Sequence, residues 1–351
     1  MKKYLSILLA SFAIFSCAPH TNWCTINGFA QGGTYTVKAD LTGTGIDPKE
    51  LKDSIDAILT RIDKSVSGYN KGSLLCRLNN GERIRPDSIL IDLYQKSYII
   101  YCKTDGYVDV ASAPLYDIWG FGFKSGEFPS DETVSRTLAC SGMGRLVPDM
   151  KGVLAPDGTL EASDLLLPDK GTTMPKLNFN AVAQGYSSDM VANYLKTLGI
   201  RDMMVDIGEI FCQGHNPSGN NWTLGIDRPT DGNNTPGADL QGIFHAPSTP
   251  CGIVTSGNYR KFYIRDGKKY AHTVDPKTGY PVSHQLLSAT IVASDSFTAD
   301  ALATYCMVIG PEASRDFVLS GTGIEACLIS AEGDSTISWC SPGFQLENPS
   351  E

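Results

Sequence analysis

The sequence predicts an α+β fold, and two features predict it: long amphipathic helical stretches with clear caps, and short β-prone runs joined to one another by glycine-rich turns. A doubly wound parallel sheet would instead return through a helix after nearly every strand. The first helix, about 48 to 64, opens on Asp47-Pro48-Lys49-Glu50, which supplies an N-cap, a proline at the first position and a capping-box acid. Leu51, Ile55, Ile58, Leu59 and Ile62 then recur at helical spacing. Asp87 opens a second helix carrying Leu90, Leu93, Tyr94, Tyr98 and Tyr101, which stops before Gly106. A third is expected from Asn180 through Met190, Val191, Tyr194, Leu195 and Leu198 to Gly199. A fourth contains Asp300 and ends at Gly310-Pro311, where a fifth begins and covers Ala313 to Leu319.

Strands are expected at Tyr35 to Asp40, Met203 to Ile207, Ile210 to Gln213, Trp222 to Asp227, Phe262 to Arg265, Leu287 to Ala293 and Glu325 to Ile329. Asp149 to Thr173 and Arg228 to Gly237 have the composition of surface loops. No repeat or low-complexity tract interrupts the chain.

Its 351 residues are 42% apolar and 19% charged, with a formal net charge of −9, as for a folded body in water. That balance argues against nucleic acid as a partner, because phosphate binding needs clustered lysine and arginine. There are ten cysteines, with no CxxC pair and no local Cys/His cluster, so a zinc site is not expected. Cys212 and Cys306 read as small buried hydrophobes.

Lys2 and Lys3 precede a mostly apolar run from Tyr4 to Ser16, too short for a stable membrane span and suited to a signal-peptide core. It ends in Ile14-Phe15-Ser16-Cys17, which looks like a bacterial lipobox. Residues 1–16 are then a signal peptide, Cys17 carries lipid, 17–30 form a tether, and 31–346 form the folded body. The expected location is outside the cytoplasm, membrane-anchored, on the periplasmic side of the inner or outer membrane. An ordinary secretory signal with a chance cysteine is the alternative.

Asp300 and Thr304 lie four residues apart in an apolar helical run, so they share one face. A carboxylate beside a hydroxyl offers the hard oxygen ligands that Mg²⁺ prefers. The plainer alternative puts Asp300 in the first turn for the helix dipole and bonds Thr304 back to a carbonyl.

Several blocks precede this pair in order: Asp109 to Pro114-Leu115 and Trp119-Gly120-Phe121-Gly122; Asn180-Ala181-Val182-Ala183-Gln184-Gly185-Tyr186; Ser256-Gly257-Asn258-Tyr259-Arg260; and His272-Thr273-Val274-Asp275-Pro276 to Gly279-Tyr280-Pro281. In this order and spacing the chain resembles the ApbE family of flavin transferases, which move FMN from FAD onto a threonine or serine of a protein partner. The resemblance runs from about Gly32 to about Phe344 and implies a T-fold-related body of mainly antiparallel sheets with flanking helices.

The resemblance also implies roles. Magnesium would take the side chains of Asp300 and Thr304 and the carbonyls of Ala181 and Ala303. Tyr69 would stack on the flavin ring, a feature that favours transfer over hydrolysis, while Gly32 and Thr34 shape the pocket. Val108, Asp109 and Val274 would contact the adenine end, with Asn178 and Gln184 also on the FAD. Gln184 stands where many members carry lysine, so a positive charge near the phosphates is missing. Asp206-Ile207-Gly208-Glu209 is one glycine short of the usual Gly-Gly-Glu.

His272, with an imidazole suited to a general base near neutral pH, is the candidate for taking the acceptor's proton. Asp275 would orient it or cap the loop, and the alternative for His272 is a backbone contact in a Pro/Gly turn. Asp189 could lie on a solvated helix face as readily as in a site. Partners follow as FAD, an acceptor protein carrying a Thr/Ser site, such as a subunit of a membrane redox complex, and the membrane through the lipid. Hydrolysis of FAD to FMN and AMP, or flavin binding without turnover, are the other functional readings.

Overall fold

The computed structural model describes residues 21–121, 128–230, 232–233, 235–259, 262–265, 268–321, 323–333 and 335–349, with 262–265 and 268–271 described by backbone alone. The expected signal peptide 1–16 and Cys17 lie outside the described residues, as do Gly122 and Arg260.

The chain opens with a hairpin of β1 (Trp23–Ala30) and β2 (Gly33–Asp40), paired from Trp23↔Asp40 to Ala30↔Gly33. Its two-residue turn puts Gln31 at φ 51° and Gly32 at φ 82°, both in the left-handed region that such a turn requires. The folded body therefore begins inside the 17–30 stretch expected to be a tether. Cys24 and Ile26 face the core, but Asn27 and Gly28 interrupt the apolar alternation that would have marked the strand. Gly28 is itself structural, since a Cβ there would run into the Tyr35 ring.

Helices α1 (Pro48–Val66), α2 (Leu74–Asn79), α3 (Ser88–Lys103), α4 (Ala113–Ile118) and α5 (Asp131–Ala139) follow. Asp47 accepts from the Lys49 amide to cap α1, and Leu51, Ile55, Leu59 and Ile62 are its buried face, as their spacing requires. Asp87 caps α3 in the same way through the Leu90 amide.

The stretch from Asp149 to Thr173 is not a plain surface loop. Met150, Leu160 and Leu165 are buried, short 3₁₀ turns occur at Lys151–Val153 and Ala162–Leu165, and bridges join Ile84 to Leu160 and Leu146 to Leu166. Turn-forming Asp, Gly and Pro conceal single apolar residues that anchor each turn.

Helix α6 (Ala183–Thr197) starts three residues later than Asn180. The Asn180 amide donates instead to Asn178 Oδ1, and Val182, at φ −149° and ψ −10°, breaks the helical conformation.

Strands β3 (Met203–Asp206), β4 (Ile210–Gln213), β5 (Thr223–Asp227), β6 (Leu240–His245), β7 (Cys251–Gly257), β8 (Phe262–Arg265), β9 (Lys268–Ala271) and β10 (Leu286–Ala293) come next. Helices α7 (Ser296–Ile309) and α8 (Pro311–Leu319) precede β11 (Glu325–Glu332), β12 (Ser335–Cys340) and β13 (Leu346–Glu347).

The main sheet has eight strands in the order β1-β2-β3-β4-β7-β10-β11-β12, and each of its pairings is antiparallel. Alternation along β7, β10 and β11 divides two cores. Val254, Ile291 and Leu328 pack with α7 and α8, while Ile253, Val292 and Ile329 pack with the small sheet β13-β6-β5. This is the expected α+β architecture of mainly antiparallel sheets with flanking helices.

Candidate active site

A cleft of about 900 Å³ lies between the β1–β2 turn, helix α1 and the start of α6, within the range for a nucleotide-sized ligand. Gly32, Lys52, Asp56, Tyr69, Asn180 and Gln184 line it, so Gly32, Tyr69 and Gln184 come together as expected. Thr34 lies in the hairpin opposite Phe29, outside that lining.

The loop bearing Tyr69 is held from both ends. Asn70 Nδ2 donates to Asp63 on α1 at 2.6 Å, the Asn70 amide to Ser67 Oγ, and the Ser73 hydroxyl to the Ser67 carbonyl at 2.7 Å. Asn180 Nδ2 lies 3.3 Å from the Tyr69 hydroxyl oxygen, yet the tyrosine remains 70% exposed. A large aromatic ring presented in a cleft by a fixed loop offers a face on which a planar ring can stack. Asn79 explains why distant blocks meet. Its amide group exchanges two hydrogen bonds with the main chain of Leu177, at 2.8 and 2.9 Å, and so fixes the segment that leads into Asn178–Gln184.

Gln184 lies over the turn between β3 and β4. A Cβ on Gly208 would collide with its amide, and Gly208 has φ +89°, so glycine is required there on both grounds. The glycine missing from the family pattern does not open the turn: the Ile207 amide donates to the Glu209 carbonyl at 3.2 Å, and the Gly208 amide to Asp206 Oδ1 at 3.0 Å.

Next to Gln184, the Gly185 amide donates to Asp300 Oδ2 at 3.0 Å. This places Asp300 behind Gly185, next to the cleft-lining Gln184 but outside the lining itself. Asp300 lies beyond the first turn of α7, whose N-cap is Asp295, so a dipole role does not explain it. It is 5% exposed, and burial pushes its carboxyl up to about 8 against the Gly185 hydrogen bond, with the nearby Asp189 charge raising it further.

Thr304 does not bond back to a helix carbonyl, as Ser97, Thr104 and Ser187 do, and its hydroxyl has no hydrogen-bond partner among the described residues. The Gly185 amide, which one more helical turn would direct to Ala181, goes to Asp300, and no donor among the described residues reaches the Ala181 carbonyl. A buried carboxylate with one hydrogen bond, an unused hydroxyl and an unused carbonyl suit a hard cation. Ala303 is buried on α7 beside Thr304. Among the described residues no three His, Cys, Asp or Glu gather to hold a metal, so a softer, thiolate- or imidazole-rich centre has no counterpart there.

Val108, Asp109, Asn178 and Val274 gather around the entry to α4. The Asn178 amide donates to the Val110 carbonyl at 2.7 Å, and the Tyr116 hydroxyl donates to the Val274 carbonyl at 3.4 Å. The Asp109 carboxylate is engaged by the Ala111 and Met143 amides, at 2.8 and 3.0 Å, and burial pushes it up to about 6.

The Asp275 carboxylate accepts from the Lys277 amide at 2.8 Å and the Thr278 hydroxyl at 3.2 Å, and so caps the loop. His272 is half-buried and followed by Thr273, whose hydroxyl donates to Asn258 Oδ1 at 2.7 Å. The loop is seated on α4 and α5 through Trp119 Nε1 to the Gly279 carbonyl, 2.7 Å, and the Tyr280 hydroxyl to Asp131, 2.7 Å.

Two features escaped the sequence. Lys52, Asp56 and the Tyr35 hydroxyl form a hydrogen-bonded group, at 2.6 and 2.5 Å from Asp56, on the α1 wall of the cleft. Asp189 is engaged with α7 rather than solvated: Ser296 and Phe297 each donate an amide to it at 2.8 Å. Its spacing of four from Gly185 was the available signal.

The sequence model of the ApbE family matches residues 32–328. A relative from Escherichia coli K12 named FAD:protein FMN transferase is 33% identical over 310 residues, which is 86% of this chain and 83% of the relative. Another of that name from Salmonella typhimurium is 31% identical over 96% of this chain and 95% of its own. The crystal structure of the flavinyl transferase ApbE of Pseudomonas stutzeri, in apo form, superposes with a TM-score of 0.76 at 30% identity, covering 92% of this chain and 95% of that one. The flavin transferase ApbE of Vibrio cholerae gives 0.74 at 28%, covering 92% and 98%. With matching motifs, fold and near-full-length similarity, this chain belongs to the ApbE family.

Proposed function

We propose that this chain transfers the FMN moiety of FAD to a threonine or serine hydroxyl of a protein partner, releasing AMP, with Mg²⁺ at the α6–α7 contact. The observation that carries this reading is the exposed Tyr69 in a nucleotide-sized cleft lined by Gln184, with the buried Asp300 carboxylate bonded to the next residue, Gly185. Similarity to proteins named FAD:protein FMN transferase supports the same activity.

Tyr69 would hold the flavin ring by its face, and Asn180, beside the Tyr69 hydroxyl, would help to fix that ring's orientation. Asp300, Thr304 and the carbonyls of Ala181 and Ala303 would hold magnesium, which when bound supplies charge neutralisation at the diphosphate. The uncharged Gln184 adds a hydrogen-bonding group but no charge there. His272 would take the proton from the acceptor hydroxyl as its oxygen forms a bond to the FMN phosphorus, and the bond to the AMP oxygen breaks. The backbone around Val108–Asp109, Asn178 and Val274 would receive the adenine end.

Export and lipid attachment at Cys17 belong to this proposal. Among the described residues no helix is long and apolar enough to cross a membrane. Blocking lipoprotein signal processing should leave a heavier precursor, and unchanged cleavage would end that part of the proposal.

The test of activity is incubation with FAD, Mg²⁺ and an acceptor protein. Transfer gives an acceptor that stays fluorescent after denaturation, with AMP released one for one. AMP release that ignores the acceptor would establish hydrolysis instead, and intact FAD with bound flavin would establish storage.

A further inference from the structure

We infer that Asp189 is a positioning residue for the metal centre, clamping helix α7 against α6 so that the oxygens of Ala181 and Asp300 converge. The inference rests on the metal reading proposed above.

The first amides of a helix have no partner within it. In α7 two carboxylates divide that task. Asp295, the residue before the helix, accepts from Thr298 at 2.8 Å, as an ordinary N-cap does. The Ser296 and Phe297 amides donate across to Asp189 on α6, at 2.8 Å each, one to each carboxylate oxygen. One turn further, contact is made in the opposite sense, with the Gly185 amide of α6 donating to Asp300 of α7. Residues 185 and 189 on one helix thus face 300 and 296 on the other, as two rungs of a single crossing.

The crossing has no slack. A Cβ at Gly185 would overlap the Ser296 carbonyl and stand 2.8 Å from Asp300 Cβ. On the other side, a Cβ at Gly252 of β7 would overlap the Ser296 backbone, and the Ser296 hydroxyl donates to the Ile210 carbonyl at 3.1 Å. With Ser296 enclosed, the Asp189 rung determines where Asp300 stands relative to Ala181 at the start of α6. Asp189 does not line the cleft, and it reaches the proposed metal oxygens by two routes, the geometry of the crossing and its own charge, which raises the Asp300 carboxyl.

The test is a titration of the purified chain with Mn²⁺, followed by the electron paramagnetic resonance of the free ion and without FAD, for wild type, D189N, D189E, D295A and D300A. D189N should weaken Mn²⁺ binding at least tenfold. D189E keeps both acceptor oxygens and should recover part of that loss, while D295A should bind as wild type. Turnover by D189N should return to within about threefold of wild type at saturating metal, a change in metal requirement rather than in kcat.

D189N with wild-type Mn²⁺ affinity and a lowered melting temperature would make Asp189 merely structural and overturn the inference. Equal losses in D189N and D295A would do the same, by tracing the effect to general fraying of α7. If D189N does not fold, D189E carries the test, and either wild-type affinity there or an equal loss in D295A overturns it. Wild-type Mn²⁺ binding in D300A would overturn the metal reading itself, and this inference with it.

Discussion

Magnesium binding to this chain should depend steeply on pH between 6 and 8. Asp300 has its carboxyl pushed up to about 8 by burial, and a carboxylate must lose its proton before it can ligate a cation. With a pKa near 8, roughly half of the chains carry an ionised Asp300 at pH 8 and roughly 1% at pH 6, so apparent affinity should fall about fifty-fold, or about 2 kcal/mol. The metal-free chain should behave in the opposite sense. Its folded state favours the neutral carboxyl, so the stability this provides is complete below the ordinary value of 3.8 and is lost as pH rises through about 8. Metal-free melting temperature should therefore decline from pH 5 to pH 8, and added Mg²⁺ should restore more of it at pH 8 than at pH 6. Titration calorimetry in two buffers of different ionisation enthalpy measures both the affinity and the proton released. Affinity that is flat from pH 6 to 8, with no proton released, would refute the reasoning.

Three further outcomes are expected. Tyr69→Ala should weaken FAD binding by about 1 kcal/mol, or about fivefold, in a flavin fluorescence titration, and unchanged affinity would remove the stacking role. Gly185→Ala forces a methyl into the Ser296 carbonyl and should cost about 1–3 kcal/mol in denaturant unfolding, with loss of metal binding; a neutral substitution would show that the crossing has room. Trp119→Phe removes the Nε1 bond to the Gly279 carbonyl and should cost about 1 kcal/mol and speed limited proteolysis in the 275–280 loop, whereas unchanged protection would mean other contacts hold that loop.

Legibility in the sequence followed the range of the interaction. Helix α1 could be read to within two residues because Asp47, Pro48 and its leucine and isoleucine stripe are local signals. Strand β1 could not, because what makes Trp23–Ala30 a strand is its pairing with β2 and the packing of Tyr35 over Gly28. Strand β7, with its small Gly252 and Ser256, is likewise defined by its neighbours β4 and β10.

At the site, Asp300 and Thr304 were visible as an i, i+4 pair, and Gly32, Tyr69 and Gln184 as parts of known motifs. The clamp by Asp189 was marked only by its spacing of four from Gly185, since its partners are main-chain amides 107 and 108 residues away that carry no side-chain signature. The start of α6 was misplaced for a related reason. Asn180 resembles a helix cap, but its amide closes a turn onto Asn178, and the helix begins only after Val182 has left helical geometry.

On the proposed function, a divalent cation sits between the α6–α7 contact and a dinucleotide's diphosphate. Crystals grown with FAD and Mn²⁺, measured at the manganese absorption edge, test it directly. The account predicts one strong anomalous peak within about 2.0–2.4 Å of an Asp300 carboxylate oxygen and the Thr304 hydroxyl, with a phosphate oxygen completing the sphere. FAD bound in the cleft with no such peak, or a peak held by other residues, would contradict it.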